Sequence, residues 1–506
     1  MKFSSPKEDV VMNYKSTRDN TVSVSSAQAI AQGISTDGGL FIPETIPALT
    51  MADLQEIAGM NYVDAAQKVL GYFLTDYTAE EIADCAKGAY IGTFDDDQPA
   101  PLAKIGDKAY SLELWHGPTC AFKDLALQIL PYLLTKAAKK TADGETKVIL
   151  VATSGDTGKA ALEGFADVEG VKILVFYPSD GVSAMQKLQM TTQKGNNVGV
   201  CAIHGNFDDA QTGVKQIFTD KEKAAALKVG NMAFSSANSI NWGRLVPQII
   251  YYIYSYATLL REGVLNQGEI MNVVVPTGNF GNILAAYYAK QMGVPVGKLI
   301  CASNQNNILT DFIRTGTYDR NRDFYTTLSP SMDILISSNL ERLLYHLTDG
   351  NAAQVKVWME ELSATGKYTV DETTRQKIAD LFYGGCADDT KTKAAIARQF
   401  AKNGYLADPH TGVALDVYET YVAETGDDTV TVIASTASPF KFSKGVLEAV
   451  GEAADGDEFA LCEALSARTG YAIPKSIAAL KGATPRFTDI CEKQDMWQQV
   501  EKMLGL

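Results

Sequence analysis

The stretch Lys147–Gly158, with the sequence KVILVATSGDTG, joins an apolar run to a loop rich in glycine and hydroxyl side chains. A short apolar run bounded by turn residues predicts a strand that is buried on both faces. We therefore predict a strand over 147–152, a loop over 153–158 and a helix that begins near Lys159. The same pattern recurs along the chain, with further strands predicted at Val171–Tyr177, Val198–Ile203, Asn272–Val275, Leu299–Ala302 and Thr429–Ala434.

This alternation predicts an α/β protein with two open, mostly parallel sheets that are covered by helices. Right-handed crossovers gather the loops that follow the strands at one edge of each sheet, where ligands bind. We predict an N-terminal, mainly helical region over 1–98 and a smaller α/β domain over 145–264. Residues 99–144 and 265–506 are expected to form a larger α/β domain, with a helical insertion over about 328–400.

Charge and composition exclude several classes of partner. The chain of 506 residues carries 45 Lys+Arg and 60 Asp+Glu, so its formal net charge is −15. Such a surface repels nucleic acid and anionic membranes, and an anionic small molecule would need a locally positive pocket. Seven scattered cysteines form no C-x-x-C pair. With no signal-peptide pattern at the start and a buried helix predicted at Leu245–Leu260, we expect a cytoplasmic protein, either a monomer or a homodimer.

The segment Trp115–Asp124, WHGPTCAFKD, contains the first candidate for covalent chemistry. Gly117-Pro118 is a turn signal, and a helix is expected to begin just after Thr119. On that helix Lys123 shares a face with the apolar residues Ala126, Leu127, Leu130 and Leu134. Such a lysine either extends to solvent or pairs with Asp124, or it is a desolvated amine that forms a Schiff base.

A glycine-rich turn is the second candidate. Pro276–Asn282, PTGNFGN, leads from a predicted strand into a predicted helix. Gly278 and Gly281 allow backbone amides to approach a ligand, and the helix N-terminus favours an anion. The segment matches no dinucleotide or nucleoside triphosphate motif, so it is either a phosphate site or a plain turn.

Two further segments could bind an anion or have only structural roles. The loop Thr153–Gly158 offers hydroxyl and amide donors, which could equally be helix caps. Asn238–Arg244 places one arginine near the start of a long helix, where it could bind a carboxylate or phosphate or form a surface ion pair. Ser435–Lys441 follows the last predicted strand. Histidine is scarce, no metal site is expected, and His410 is interpreted as an ordinary loop histidine.

Together these segments resemble the threonine synthase family, in its longer bacterial and fungal branch, among the fold-type-II (tryptophan synthase β-like) enzymes that use pyridoxal phosphate. The motif HGPTxAFKD and its order relative to TSGDTG and GNFGN carry the resemblance. The segment Thr436–Phe442 departs from the family pattern TAHPAKF at Ser438, where the family has histidine, and at Phe440, where it has alanine. No role of the family's histidine is therefore carried over to this chain. The matching segments are Ser23–Pro43, His116–Asp124, Thr153–Gly158, Asn238–Arg244, Pro276–Asn282, Met332-Asp333, Ser338-Asn339 and Ser435–Phe442.

The resemblance implies a role for each matching residue. Lys123 would hold pyridoxal phosphate covalently, and Thr436 would face the ring nitrogen of the cofactor. The other implied cofactor-binding residues are Phe122, Asp156, Gly278, Asn279, Phe280, Gly281 and Asn282. The implied substrate-binding residues are Thr153, Ser154, Gly155, Thr157, Ser239, Asn241, Arg244 and Lys441.

The resemblance also implies the conversion of O-phospho-L-homoserine and water to L-threonine and phosphate. Two alternatives remain at this stage. One is another lyase or dehydratase of the same cofactor class, such as a relative that degrades phosphothreonine. The other is a protein that binds a phosphorylated metabolite without catalysis.

Overall fold

The computed structural model describes residues 11–95, 98–141, 144–153, 155–179 and 182–506. The N-terminal region contains a small antiparallel sheet in the order β2-β1-β3, followed by helices with Thr50, Asn61 and Thr78 as N-caps. Its elements are β1 (Tyr14–Ser16), β2 (Asp19–Val24), α1 (Ser26–Gln32), β3 (Phe41–Pro43), α2 (Met51–Ala58), α3 (Tyr62–Phe73) and α4 (Ala79–Tyr90).

The lysine segment lies between a hairpin and two helices. The hairpin strands are antiparallel, and the second strand leads directly into the loop that carries Lys123. These elements are β4 (Leu102–Lys104), β5 (Ala109–Glu113), α5 (Asp124–Leu127) and α6 (Leu130–Thr141). The helix expected to begin just after Thr119 begins instead at Asp124 and ends at Leu127, and Pro131 lies in the first turn of the next helix, where proline is tolerated.

A five-stranded parallel sheet follows, in which each predicted strand of this segment is present. Its helix α7 begins at Asp156, three residues before the predicted start. The elements are β6 (Thr146–Ala152), α7 (Asp156–Phe165), β7 (Val171–Pro178), α8 (Ala184–Thr191), β8 (Val198–His204), α9 (Phe207–Thr219), α10 (Lys221–Val229), β9 (Met232–Ser235) and α11 (Trp242–Arg261). Leu245–Leu260 lies within α11 as the predicted core helix, and nearly all of that helix is buried.

The remaining elements build a six-stranded sheet and the helices around it. They are β10 (Met271–Pro276), α12 (Gly281–Gln291), β11 (Val296–Ser303), α13 (Ile308–Thr315), β12 (Thr317–Asp319), α14 (Leu340–Leu347), α15 (Ala352–Thr365), β13 (Lys367–Thr369), α16 (Glu372–Leu381), β14 (Phe382–Cys386), α17 (Asp389–Asn403), α18 (Pro409–Thr425), β15 (Thr431–Ser435), α19 (Ser443–Ala449), α20 (Glu458–Thr469), α21 (Lys475–Ala478), β16 (Ile490–Glu492) and α22 (Met496–Leu504).

The two large sheets confirm the predicted α/β class. The six-stranded sheet has the order β14-β11-β10-β15-β5-β4 and is parallel except for β4. The five-stranded sheet has the order β16-β8-β7-β6-β9 and is parallel throughout. Strand β14 lies inside the stretch 328–400, which was predicted to be helical, and forms an edge of the larger sheet. The domain boundaries stay predictions, but β16 near the chain end pairs with β8 of the smaller sheet.

Because the strands are parallel, the loops that carry the predicted site residues lie at one edge of each sheet. The loops after β5, β10 and β15 leave neighbouring strands of the larger sheet, and the loop after β6 leaves the strand between β7 and β9 of the smaller one. No helix in the described part of the chain is long and apolar enough to cross a membrane.

Candidate active site

Lys123 lies in a loop that is fastened to the loop after β15. The Phe122 N–H donates to the Thr436 carbonyl at 2.8 Å, and the Ser438 N–H donates to the Cys120 carbonyl at 3.0 Å. Ala121 and Ala437 form an antiparallel bridge between the two loops. These backbone contacts hold Thr436 against Phe122, the residue before the lysine. Ser438, at the position of the family's histidine, caps the short turn Pro439–Phe442.

The Lys123 amine is desolvated, and only 7% of the residue is exposed. Its nitrogen lies 3.3 Å from the Ser331 hydroxyl oxygen, 3.6 Å from Asp156 Oδ2 and 4.8 Å from the centre of the Phe122 ring. Burial lowers the pKa of the amine to about 8, although the Asp156 carboxylate acts in the opposite direction. The ammonium form therefore still predominates at neutral pH, but the free base is much more accessible than it is for an ordinary lysine.

The alternative in which Lys123 pairs with Asp124 is wrong. Both Asp124 oxygens accept hydrogen bonds from Thr119, one from its N–H at 2.8 Å and one from its hydroxyl at 2.7 Å. Burial raises the pKa of Asp124 to about 6 despite these hydrogen bonds. Asp124 therefore closes the turn that precedes the lysine, instead of neutralising it.

The Asp156 carboxylate connects the side chains of Lys123 and Lys441. Its carboxylate contacts Lys441 Nζ at 2.5 Å and Lys123 Nζ at 3.6 Å, and it accepts hydrogen bonds from Gln186 at 2.8 Å and Ser331 at 3.2 Å. Burial opposes ionisation, but the two lysines outweigh it and hold the pKa of Asp156 far below its usual range. Lys441 also donates to the Thr119 carbonyl at 3.0 Å, so its ammonium is committed within the protein.

Arg244 contrasts with Lys441 because its charge is poorly compensated. Among the described residues its guanidinium makes one hydrogen bond, from NH1 to the Ala237 carbonyl at 2.8 Å, and its buried Nε has no partner. Burial lowers the pKa of this guanidinium to about 10. The surface ion pair considered as an alternative for Arg244 is therefore wrong, and a buried cation with free donors is the arrangement that favours a bound anion.

The glycine-rich turn between β10 and α12 is held by surrounding side chains. Phe280 adopts the left-handed backbone conformation with φ of 63°, which presents successive amides at the start of α12. The Asn279 carbonyl accepts from both the backbone and the side chain of Asn339, and Ser337 donates to the Gly278 carbonyl at 2.8 Å. Asn282 accepts from two tyrosines through Oδ1, whereas its buried Nδ2 has no partner.

The other predicted site residues differ in whether their side chains are already hydrogen-bonded within the protein. The Thr153 hydroxyl accepts from the Gly155 and Gly158 amides at 2.9 Å, and Asn241 caps α11 while donating to two backbone carbonyls. Ser239 accepts from Asn339 at 2.8 Å beside the glycine turn. Thr157 is half-buried in the first turn of α7. Ser154 lies outside the described residues.

Two residues of the site were not predicted from the sequence. Ser331 contacts both Lys123 and Asp156, and Gln186 contacts Asp156 from α8. His410 was interpreted as a loop histidine, but it is buried in the first turn of α18 and accepts from the Ser331 N–H at 3.1 Å. The neighbouring pair Met332-Asp333, which contributed to the family resemblance, was the available signal for Ser331.

Comparison with known families gives a consistent result along the chain. Residues 13–90 match the family model for the threonine synthase N terminus, residues 99–436 match pyridoxal-phosphate-dependent enzymes, and residues 411–503 match the threonine synthase C-terminal model. The fold and the buried lysine therefore belong to the class of pyridoxal-phosphate-dependent enzymes with the fold-type-II architecture. Within that class, the chain belongs to the threonine synthase family.

Individual relatives agree with this assignment. Threonine synthases from Saccharomyces cerevisiae and Pseudomonas aeruginosa are each 38% identical, over 86% and 87% of this chain and 89% and 91% of their own. Threonine synthase-like 1 from Homo sapiens is 38% identical over 84% of this chain, which spans only 58% of that relative. The crystal structure of yeast threonine synthase has a TM-score of 0.87 at 33% identity, covering 98% of this chain and 100% of the other.

The residues of this site fit pyridoxal phosphate. The desolvated amine of Lys123 suits the aldehyde of the cofactor, and a relative from Brucella melitensis was solved with pyridoxal phosphate bound (TM-score 0.85, 34% identity, 97% of this chain and 99% of the other). The unpartnered Asn282 Nδ2 and the amides at the start of α12 are donors that a phosphate would satisfy. Phe122 and Asp156 contact the amine, and the Thr436 carbonyl accepts from the Phe122 N–H.

Proposed function

We propose that this protein converts O-phospho-L-homoserine and water to L-threonine and phosphate, with pyridoxal phosphate held by Lys123. The observation that carries the proposal is the charge arrangement at this amine. A buried lysine of lowered pKa shares Asp156 with Lys441, while the nearby Arg244 retains unpaired donors. In a protein with a net charge of −15, this cluster supplies the local positive charge that an anionic substrate requires.

Lys123 would act as the proton carrier. Bound pyridoxal phosphate supplies an electron sink that stabilises negative charge on substrate carbon atoms. A lysine with a pKa of about 8 changes protonation state readily near neutral pH, so its nitrogen can accept and return a substrate proton. Asp156 and the Ser331 hydroxyl orient that nitrogen through contacts at 3.6 and 3.3 Å.

Arg244 would bind the phosphate group that leaves the substrate. Its Nε is a buried donor without a partner, so a bound phosphate oxygen would complete its hydrogen bonding. Lys441 contributes positive potential from its fixed place between Asp156 and the Thr119 carbonyl. Ser239, Asn241 and the loop with Thr153, Ser154, Gly155 and Thr157 are proposed to shape the space for the substrate carboxylate.

The activity can be tested directly with purified protein. We expect phosphate and threonine to form in equal amounts from O-phospho-L-homoserine, without ammonia. Ammonia release from threonine or from phosphothreonine would instead indicate a dehydratase or a phosphothreonine-degrading enzyme. Colourless protein that binds the substrate without turnover would indicate a binding protein. The family matches at both ends of the chain favour the synthase over these alternatives.

The glycine turn provides a further test of the proposed cofactor position. A Cβ at Gly278 would lie 2.7 Å from the Ser331 carbonyl oxygen, so Gly278→Ala must displace either the turn or the Ser331 segment. Overpacking of this kind costs about 1–3 kcal/mol, and we expect the Kd for pyridoxal phosphate to rise about tenfold. Fluorescence titration of the cofactor-free protein measures this change.

A matched control is available in α3. A Cβ at Gly71 would have no neighbour within 4 Å, so Gly71→Ala should leave cofactor binding unchanged while slightly stabilising the helix. Equal cofactor affinity in both variants and the parent protein would contradict the proposed phosphate position.

We also propose a cytoplasmic location, a small-molecule substrate, and a monomeric or homodimeric state for this protein. The acidic surface supports the absence of nucleic-acid partners. Size-exclusion chromatography with light scattering at two protein concentrations distinguishes the monomer from the homodimer.

A further inference from the structure

A buried histidine supports the segment that contacts the Lys123 amine. The Ser331 N–H donates to His410 Nε2 at 3.1 Å, and His410 Nδ1 lies 2.7 Å from Asp408 Oδ2. Because Nε2 accepts a hydrogen bond from the Ser331 N–H, Nδ1 carries the ring hydrogen and donates a hydrogen bond to Asp408. Asp408 is itself held by the His410 and Thr411 amides as the N-cap of α18. The imidazole is therefore fixed in one orientation and one tautomer.

Ser331 meets the site on three sides. Its hydroxyl donates to Asp156 Oδ2 at 3.2 Å, which leaves an oxygen lone pair to accept from Lys123 Nζ at 3.3 Å. Its carbonyl packs so closely on Gly278 that a Cβ there would lie 2.7 Å away. The serine thus lies between the lysine, the carboxylate and the glycine turn, and only its N–H points towards His410.

We propose that Asp408 and His410 form a positioning pair that holds the Ser331 hydroxyl as the neutral oxygen acceptor of the Lys123 amine. This inference deepens the proposed function and rests on it, because it assigns residues that prepare the lysine for proton transfer. His410 would be a positioning residue, since it acts on the lysine only through Ser331. Ser331 would set the direction and the basicity of the amine.

The surroundings of Lys123 explain why this one hydroxyl matters. Arg244 and Lys441 disfavour a charged amine by repulsion, and burial acts in the same direction. Asp156 is the only carboxylate that contacts the amine among the described residues, and it is farther away than Ser331 and shared with Lys441. Loss of the Ser331 hydroxyl therefore removes the nearer of two acceptors from the ammonium form, so the free base becomes more favourable.

Carboxylates and one aromatic ring surround the His410 imidazole. Asp408 contacts its Nδ1, the Phe442 ring centre lies 5.1 Å from the imidazole centre, and Asp333 and Asp156 are close enough to act on it electrostatically. The Ser331 backbone occupies Nε2. Replacement of His410 therefore alters one contact with Ser331 and one with Asp408, and amide side chains can separate the two.

Competitive acetylation of Lys123 tests the proposal without measuring turnover. Full-length protein freed of pyridoxal phosphate is labelled with acetic anhydride between about pH 6 and 11, and the labelled lysine peptide is quantified by mass spectrometry. The parent should be half-labelled near pH 8. In Ser331→Ala the midpoint should fall by about one unit, because a hydrogen bond to a charged group is lost.

The His410 variants distinguish positioning from a merely structural role. Glutamine places its amide near Nε2 and can accept from Ser331, whereas asparagine reaches only the Nδ1 position beside Asp408. We expect His410→Gln to titrate like the parent, and His410→Asn and His410→Ala to shift in the same direction as Ser331→Ala. The exposed His204 provides the control His204→Gln, which should leave the midpoint unchanged.

Three results would overturn the proposal. One is that both Ser331→Ala and His410→Ala, with folding verified by circular dichroism, have the same pH midpoint of Lys123 acetylation as the parent protein. Another is that His410→Asn has the parent midpoint whereas His410→Gln does not, which would show that only the contact with Asp408 matters. The third, if His410→Ala does not fold, is an unchanged midpoint in Ser331→Ala alone. Turnover without these shifts rejects the positioning pair, whereas the shifts without turnover of O-phospho-L-homoserine reject the proposed function.

Discussion

Lys123→Ala should abolish both turnover and the visible absorbance band of lysine-bound pyridoxal phosphate. The amine is the proposed covalent anchor and the proposed proton carrier, and no other lysine replaces it, since Lys441 is fixed between Asp156 and the Thr119 carbonyl. Loss of proton transfer alone costs about 10²–10⁴-fold in rate. Absorbance spectra before and after borohydride treatment, combined with a phosphate-release assay, measure both effects.

A lysine outside the site provides the control for this prediction. Lys136 lies on α6 and contacts Asp84 at 3.3 Å near the surface, so Lys136→Ala should retain the band and the parent rate. If Lys123→Ala kept the borohydride-sensitive band or turned over substrate at the parent rate, the assignment of this lysine would have to be abandoned.

Arg244→Met should separate activity from stability. Removal of the guanidinium takes away the proposed phosphate donor, and we expect kcat/KM for O-phospho-L-homoserine to fall about 10²–10³-fold. The same change removes a buried charge that has no carboxylate partner among the described residues, so the free energy of unfolding should stay constant or rise by about 1 kcal/mol. Steady-state kinetics and urea unfolding measure the two effects.

Arg342 is the matched control, because it is equally buried and its pKa is likewise lowered to about 10 by burial. Its guanidinium donates to the backbone carbonyls of Phe41, Ser239 and Ile240 and to the Asn339 side chain. Arg342→Met leaves these acceptors unsatisfied and should cost about 3 kcal/mol or more of stability. Strong destabilisation by Arg244→Met, with the activity of the folded fraction unchanged, would contradict the anion-binding role.

The contrast between the two arginines shows what sequence patterns can and cannot reveal. Apolar periodicity predicted the strands around the site because it records burial, a property of each local segment. The helical spacing that grouped Lys123 with Leu130 and Leu134 does not hold, because these leucines lie in a separate helix, but the lysine is buried, as the desolvated-amine alternative requires. Both arginines are buried, yet only the positions of distant carbonyls decide which guanidinium is satisfied and which retains a free donor.

The larger errors have a related cause. Strands β14 and β16 were not predicted, because both are short and lie in segments with strong helical neighbours. The partner of Lys123 was sought at the adjacent Asp124, whereas the structure supplies Asp156 from the first turn of α7, which follows a strand of the smaller sheet. A salt bridge of this kind depends on the order of strands, which no local pattern encodes.

The sequence by itself determined the α/β class, because local apolar runs record burial, and it identified the lysine, the glycine turn and the cation near the start of α11 as candidates. Their implied roles came from the family resemblance, since residue type and local spacing left structural alternatives open for each. Only the tertiary structure decided that Asp156 joins Lys123 to Lys441, and that Ser331, 208 residues from Lys123, completes the contact. It also decided that His410 supports that serine from α18. The physical reason is that hydrogen bonds and ion pairs act over a few ångströms, between groups that chain folding alone brings together.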